Sequence, residues 1–163
     1  MTQQMRVGVL GAGGLGRGMA QLCAQRNDIR LVAMADSQAY AFDAQGLDPL
    51  AVADCSTLLD VAGAVPSADS IIDMLKAHGS QIDGLFMALP NLPVTFYAET
   101  VQMILNETGY KGVMVDALKR TKAVEAMLGL KDQIRDRGMV YITGCGATPG
   151  FLSTAAAVAA QSF

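Results

Sequence analysis

Apolar residues along the chain fall into short unbroken runs, and each run stops at a glycine, a proline or an acid. Arg6 to Leu10 (RVGVL) and Leu31 to Ala35 (LVAMA) read as strands covered on both faces, the pattern of a parallel sheet. Between them, Met19 to Arg26 carries Met19, Leu22 and Cys23 on one helical face. After a turn at Gly46-Leu47-Asp48-Pro49, Leu50 to Asp60 reads as a helix and Val61 to Val65 as a short strand. Ser67 is placed as the N-cap of a helix that turns Ile71, Ile72 and Leu75 inward and stops at Gly79. Gly84 to Leu89 is a strand that breaks at Pro90-Asn91-Leu92-Pro93, and the next helix buries Phe96, Val101, Ile104 and Leu105 before Gly109. Gly112 to Val115 is a strand. Thr121 caps a long helix with Val124, Met127, Leu128 and Ile134 in its stripe, which runs to Arg137 and stops at Gly138. Met139 to Thr143 is the last strand, and Phe151 to Ala160 an alanine-rich helix. Strands alternating with helices in this order predict an α/β domain on a doubly wound parallel sheet of about six strands, with helices on both faces.

The first strand ends in a glycine-rich turn, Gly11-Ala12-Gly13-Gly14-Leu15-Gly16, spaced G-x-G-x-x-G. Such spacing suits a pyrophosphate: one glycine turns the chain, one lets backbone approach the phosphates, and one lets helix pack closely on strand. The following helix aims free N–H groups and its positive end at the anion. Glycine is common here, 17 of 163 residues, so the spacing alone decides little. Its context decides more, because Asp36 ends the second strand twenty residues beyond Gly16, where an acid can accept both ribose hydroxyls of an adenosine. Strand, turn, helix, strand and acid together predict a Rossmann NAD(P)-binding fold. Asp36 is followed by Ser37 and Gln38 and not by a cation, so NAD is favoured, with NADP the alternative that Arg17 near the pyrophosphate keeps open.

Composition narrows the partners. With 52% hydrophobic residues the chain suits one buried core, and its ten methionines fall mostly in strands and on helix faces. A net charge of −3, with no basic run interleaved with aromatics, argues against nucleic acid. The start MTQQMR has no apolar signal region and the Ala155 to Ala160 tail is too short to cross a bilayer, so the expectation is a cytoplasmic chain with no membrane partner. A second copy of the chain is a candidate partner, since an apolar face of the last helix needs cover. Three unclustered cysteines exclude a disulfide framework and a zinc site, and no metal is expected. Cys23 is read as core, and Cys145 lacks a histidine to activate it. The lone histidine, His78, sits in the last turn of a helix, where it is read as solvated and structural.

Ligands of open α/β sheets lie outside the carboxyl ends of the strands, at the point where strand order reverses. Leu89, Pro90 and Asn91 are therefore candidates to border the nicotinamide side, and Gly146, in the turn after the last strand, is another. Lys119, in Asp116-Ala117-Leu118-Lys119-Arg120, could hold a substrate carboxylate, bond a ribose or act as an acid in hydride chemistry.

The first glycine turn, taken with Gly146-Ala147-Thr148-Pro149-Gly150-Phe151-Leu152-Ser153, resembles the saccharopine dehydrogenase-like oxidoreductases and is similar to diaminopimelate dehydrogenases. The resemblance implies an NAD(P)-dependent dehydrogenase or reductase acting on a small molecule, an amino acid or a keto or imino acid. Most members carry Asp where Thr148 stands, which unsettles the implied substrate and leaves the cofactor domain as it is. It further implies that residues 1–150 are the dinucleotide-binding domain and that 151–163 begin a helix leading to a substrate and dimerisation domain. The rival expectation is a free-standing NAD(P)-binding or sensing module without chemistry.

Overall fold

A computed structural model describes residues 4–90 and 93–161. The chain starts with β1 (Met5–Leu10), α1 (Gly14–Gln25), β2 (Ile29–Ala35) and β3 (Ala39–Phe42). It continues through α2 (Pro49–Asp54), β4 (Val65–Pro66), α3 (Ser70–His78), β5 (Gly84–Met87), α4 (Phe96–Glu107) and β6 (Val113–Asp116). The last elements are α5 (Thr121–Leu128), α6 (Lys131–Asp136), β7 (Val140–Ile142) and α7 (Leu152–Ala160).

One seven-stranded sheet runs in the order β4-β3-β2-β1-β5-β6-β7. The first strand is thus central, with β2 on one side and β5 on the other, and the order reverses between β1 and β5. The expected doubly wound α/β architecture is present. It differs in two strands: β3 pairs antiparallel with β2, and β4 antiparallel with β3, so the sheet is mixed. The cause is local, because Asp36 folds the chain straight back after β2 and no helix intervenes.

Helices cover both faces over two cores. On one, Val9, Leu31, Met34 and Leu58 pack with Ala20 and Cys23 of α1. On the other, Leu10, Leu85, Met87 and Met114 meet Met74, Ile104 and Met127 of α3, α4 and α5. Five methionines are among the fully buried side chains, which fits a thioether that fills irregular gaps.

Several expected bounds shift. The helix expected over residues 50–60 contracts to α2, started by Pro49 and capped by the Asp48 carboxylate, which accepts from the Leu50 and Ala51 amides. Ser67 stands outside α3, its hydroxyl accepting from the Asp69 amide and donating to Asp73. The long helix breaks at Gly129 and Leu130, where the Leu130 amide bonds back to Met127 in a tight turn. Gly has the poorest helix propensity after proline, and the break leaves Leu128 exposed and not in the stripe. Thr121 is the first residue of α5 and supplies no side-chain cap. Leu22 likewise points outward, while Gly16, Ala20 and Cys23 form the buried line of α1.

Candidate functional site

The parallel strands β1, β2, β5, β6 and β7 all end at one edge, which brings Asp36, Gly11, Ala88, Ala117 and Thr143 into a row in that order. Four inter-strand gaps make this row about 19 Å across.

At its centre the Gly11 amide donates to the Ala35 carbonyl at 2.7 Å, and the Ala88 amide to that of Leu10 at 2.8 Å. Gly11 has φ +105°, and a Cβ there would sit 2.5 Å from the Ala88 carbonyl oxygen. A Cβ at Gly16 would overlap the Gly11 carbonyl. Both glycines are required by packing. Gly13 and Gly14 are different, since a Cβ at either meets nothing within 4 Å. They form an open face at the N-terminus of α1, which has no side-chain cap and no acid in its first turn. Ala12 is half-buried beside them and Leu15 is exposed.

Arg17 does not face this opening. Its guanidinium donates to the carbonyls of Ala12, Ala53, Cys55 and Ser56, stitching the turn to the end of α2. Orphaned carbonyls after the helix C-terminus take up most of its donors.

Asp36 is partly committed too. Its Oδ1 accepts from the Gln38 amide at 2.8 Å and the Ala39 amide at 3.0 Å, an Asx turn that starts the β2 to β3 hairpin. Among the described residues Oδ2 has no protein partner, so one oxygen, and not two, is open to a ligand. Ser37 and Gln38 are exposed at its side. The hairpin is held by His78, whose ring stacks on Phe42 with centroids 3.9 Å apart and planes 5° apart. It is therefore half-buried and not fully solvated as expected, and burial lowers its pKa.

At the end of β5 the Tyr97 hydroxyl lies 2.9 Å from the Leu89 carbonyl and 3.2 Å from that of Met87, bracing the strand end. Burial, with the nearby Asp116 charge, pushes its pKa up to about 12. Leu89 is half-buried and Pro90 exposed; Asn91 lies outside the described residues.

Sequence reasoning passed over Asp116. It is wholly buried, and its carboxylate accepts from the Leu118 amide, the Thr143 hydroxyl, the Gly144 amide and, at 2.7 Å, the Tyr141 hydroxyl. Burial and this last bond push the Tyr141 pKa far up. The only signal was an acid directly after an apolar strand, which reads equally well as solvated. Lys119 and Arg120, next in the loop, are exposed, and Lys119 makes no hydrogen bond or ion pair among the described residues. Across from them lies the second glycine turn, with Gly144 at φ +73° and a Gly146 Cβ position 3.4 Å from the Ala117 carbonyl. Cys145 is exposed. A π-helical turn, Ala147–Phe151, leads into α7, which has no buried residue.

A cavity of about 490 Å³ lies along the outer edge of β7 between Met127, Ile134 and Tyr141, away from the first glycine turn. Among the described residues, no three His, Cys, Asp or Glu side chains group as metal ligands, and no helix is long and apolar enough to cross a membrane.

Known structures share this fold. Diaminopimelate dehydrogenase of C. glutamicum, solved with diaminopimelate, superposes with a TM-score of 0.67 at 20% identity over 99% of this chain and 42% of that one. This is a Rossmann-type fold. An oxidoreductase from Sinorhizobium meliloti gives 0.52 at 15% identity over 87% of this chain and 36% of its own. GenD2 from gentamicin A biosynthesis, solved with NAD, gives 0.51 at 18% identity over 88% and 35%. At these identities the likeness is one of fold. No family model matches the chain. In sequence it is 29% identical to the (S)-8-amino-7-oxononanoate synthase BioU of Haloferax mediterranei, over 98% of this chain and 54% of that protein. The chain thus spans about half the length of the curated relative it matches.

Proposed function

We propose that this chain is the cofactor-binding domain of an NAD(P)-dependent oxidoreductase acting on an amino acid or on a keto or imino acid. The observation that carries the reading is the contrast within the first turn. Gly11 and Gly16 are demanded by packing, whereas Gly13 and Gly14 leave an open, acid-free face at a helix N-terminus, where a pyrophosphate gains N–H donors and a favourable dipole. The adenosine ribose then meets the free Oδ2 of Asp36, and the nicotinamide end reaches Leu89, Pro90, Lys119 and Gly146 across the row. A bound nicotinamide supplies or accepts a hydride. Lys119 offers the exposed amine there, to hold a carboxylate, bond the ribose or give a proton.

NAD is favoured over NADP more firmly than charge alone argues. A 2′-phosphate needs a cation, and Arg17 is already spent on four carbonyls. The substrate class draws support from two names, one a synthase of a carboxylic acid with an amine beside a ketone, the other a dehydrogenase solved with diaminopimelate. The two glycine turns fit the saccharopine dehydrogenase-like resemblance as a finer form of the same reading.

Calorimetric titration tests it. NADH is expected to bind more tightly than NADPH; the reverse order sinks the Asp36 argument, and binding of neither sinks the cofactor reading.

A further inference from the structure

We propose that Asp116 is the positioning residue for the far end of this crevice, its carboxylate fixing the loop that carries Lys119 and the second glycine turn in a single geometry. The inference rests on the reading above for what the crevice is for, and concerns how its end opposite Asp36 is held.

The β6 to β7 ladder ends at Val115 and Ile142. Beyond it the two loops have no strand pairing to hold them, and the bonds that join them converge on one residue. Asp116 Oδ1 accepts from the Leu118 amide at 2.9 Å, the Gly144 amide at 2.9 Å and the Thr143 hydroxyl at 3.1 Å. Oδ2 accepts from Tyr141, and the Asp116 carbonyl accepts from the Cys145 amide at 3.1 Å. Four donors thus converge on one carboxylate, three on Oδ1 and one on Oδ2. No lysine or arginine pairs with it among the described residues. A buried acid is costly unless bonded, so packing alone gives no reason for one at this strand end. Three of its four side-chain partners lie in the loops and not in the strands, which is what a clamp requires. Beside the clamp the same two loops lie close, the Cβ position of Gly146 being 3.4 Å from the Ala117 carbonyl.

Asp116→Ala and Asp116→Asn in the full chain separate placement from charge. Asn keeps an acceptor for the Leu118 and Gly144 amides and can donate to the Tyr141 oxygen. Amide hydrogen exchange at Leu118 and Gly144 is expected to quicken about tenfold or more in Asp116→Ala, and to stay within about threefold in Asp116→Asn. The second readout is the carbon-13 resonance of Lys119 after reductive methylation with labelled formaldehyde, assigned with Lys119→Arg. NADH is expected to shift it in the parent chain and in Asp116→Asn, and to leave it unmoved in Asp116→Ala. Unchanged exchange at both amides in Asp116→Ala, or an Asp116→Asn chain as impaired as Asp116→Ala, overturns the proposal. If Asp116→Ala does not fold, Thr143→Val removes a single partner: a smaller rise at both amides supports the clamp, and a rise at Gly144 alone overturns it. Absence of any NADH-induced shift in the parent chain counts against the cofactor reading only, and the exchange measurement then decides on Asp116.

Discussion

The two glycine-rich turns share one edge of one sheet, yet they are held by different means. The first is fixed by backbone against backbone: Gly11 under the Ala88 carbonyl, Gly16 against the Gly11 carbonyl, with both flanking strands bonded to it. The second is held chiefly through one residue, Asp116, by its carboxylate and its carbonyl, and leads into a helix with no buried residue. A glycine count cannot tell these apart. Where the missing Cβ would go says more: in the first turn, into protein at Gly11 and Gly16 and into open space at Gly13 and Gly14; in the second, against the Gly144 carbonyl at Gly150 and no nearer than 4.0 Å to the Leu118 carbonyl at Gly144.

The largest effect expected follows from placing the same methyl in each turn. Gly16→Ala forces β1 and α1 apart and is expected to cost about 3 kcal/mol or more in denaturant unfolding. Gly150→Ala meets the Gly144 carbonyl at 2.8 Å but burdens only the exposed end of the molecule, so about 1 kcal/mol is expected. Equal losses would erase the contrast drawn between the turns.

Gly13→Ala sharpens it. Its Cβ touches nothing, so the melting temperature should hold while NADH affinity falls at least about tenfold, the mark of a glycine kept for a ligand. A variant that binds NADH as the parent does removes the pyrophosphate from this face. Next in size, Asp36→Asn keeps an acceptor for the hairpin turn while replacing the free carboxylate oxygen, and titration should show NADH weakened by about 1 to 3 kcal/mol.

The smallest effect tests the opposite edge, where neither turn is involved. Arg6 bonds Asp83 at 2.7 Å, and this hydrogen bond holds the Asp83 carboxyl below its ordinary value. A depressed carboxyl pKa gives stability that is present above the unfolded value near 4 and is lost as pH falls through the folded one. The melting-temperature difference between the parent and Asp83→Asn should therefore close as pH drops from 5 toward 3. A gap that persists there would assign it to packing.

The central architecture was legible because it rests on short-range rules. Apolar runs ending at Gly11, Asp36 and Pro90 announced strands, and the G-x-G-x-x-G spacing with Asp36 in register announced the turn. What escaped depends on partners distant in sequence. β3 has only Ala39 to Phe42, too brief to show a period, and its pairing is set by the Asx turn of Asp36. The bonds of Arg17 are not visible at its helix position, because three of its four carbonyl partners lie some forty residues on. Asp116 reads in the sequence as an acid after an apolar strand, and its burial depends on Tyr141 of the next strand and Thr143 just beyond it. A side chain's direction at a strand end is simply not written in the strand.

The central place of β1 in the sheet also sets an order of assembly. As the chain is synthesised, β1, α1 and β2 can pair early, their contacts being close in sequence, and Gly11 is then bonded on its Ala35 side alone. The Ala88 carbonyl that locks it directly follows β5, which comes after β3, β4 and two helices in the chain. The cradle is therefore finished late, by the half of the chain that does not contain it. Residues 1–83 thus carry the glycine motif without the Ala88 carbonyl that packs on Gly11.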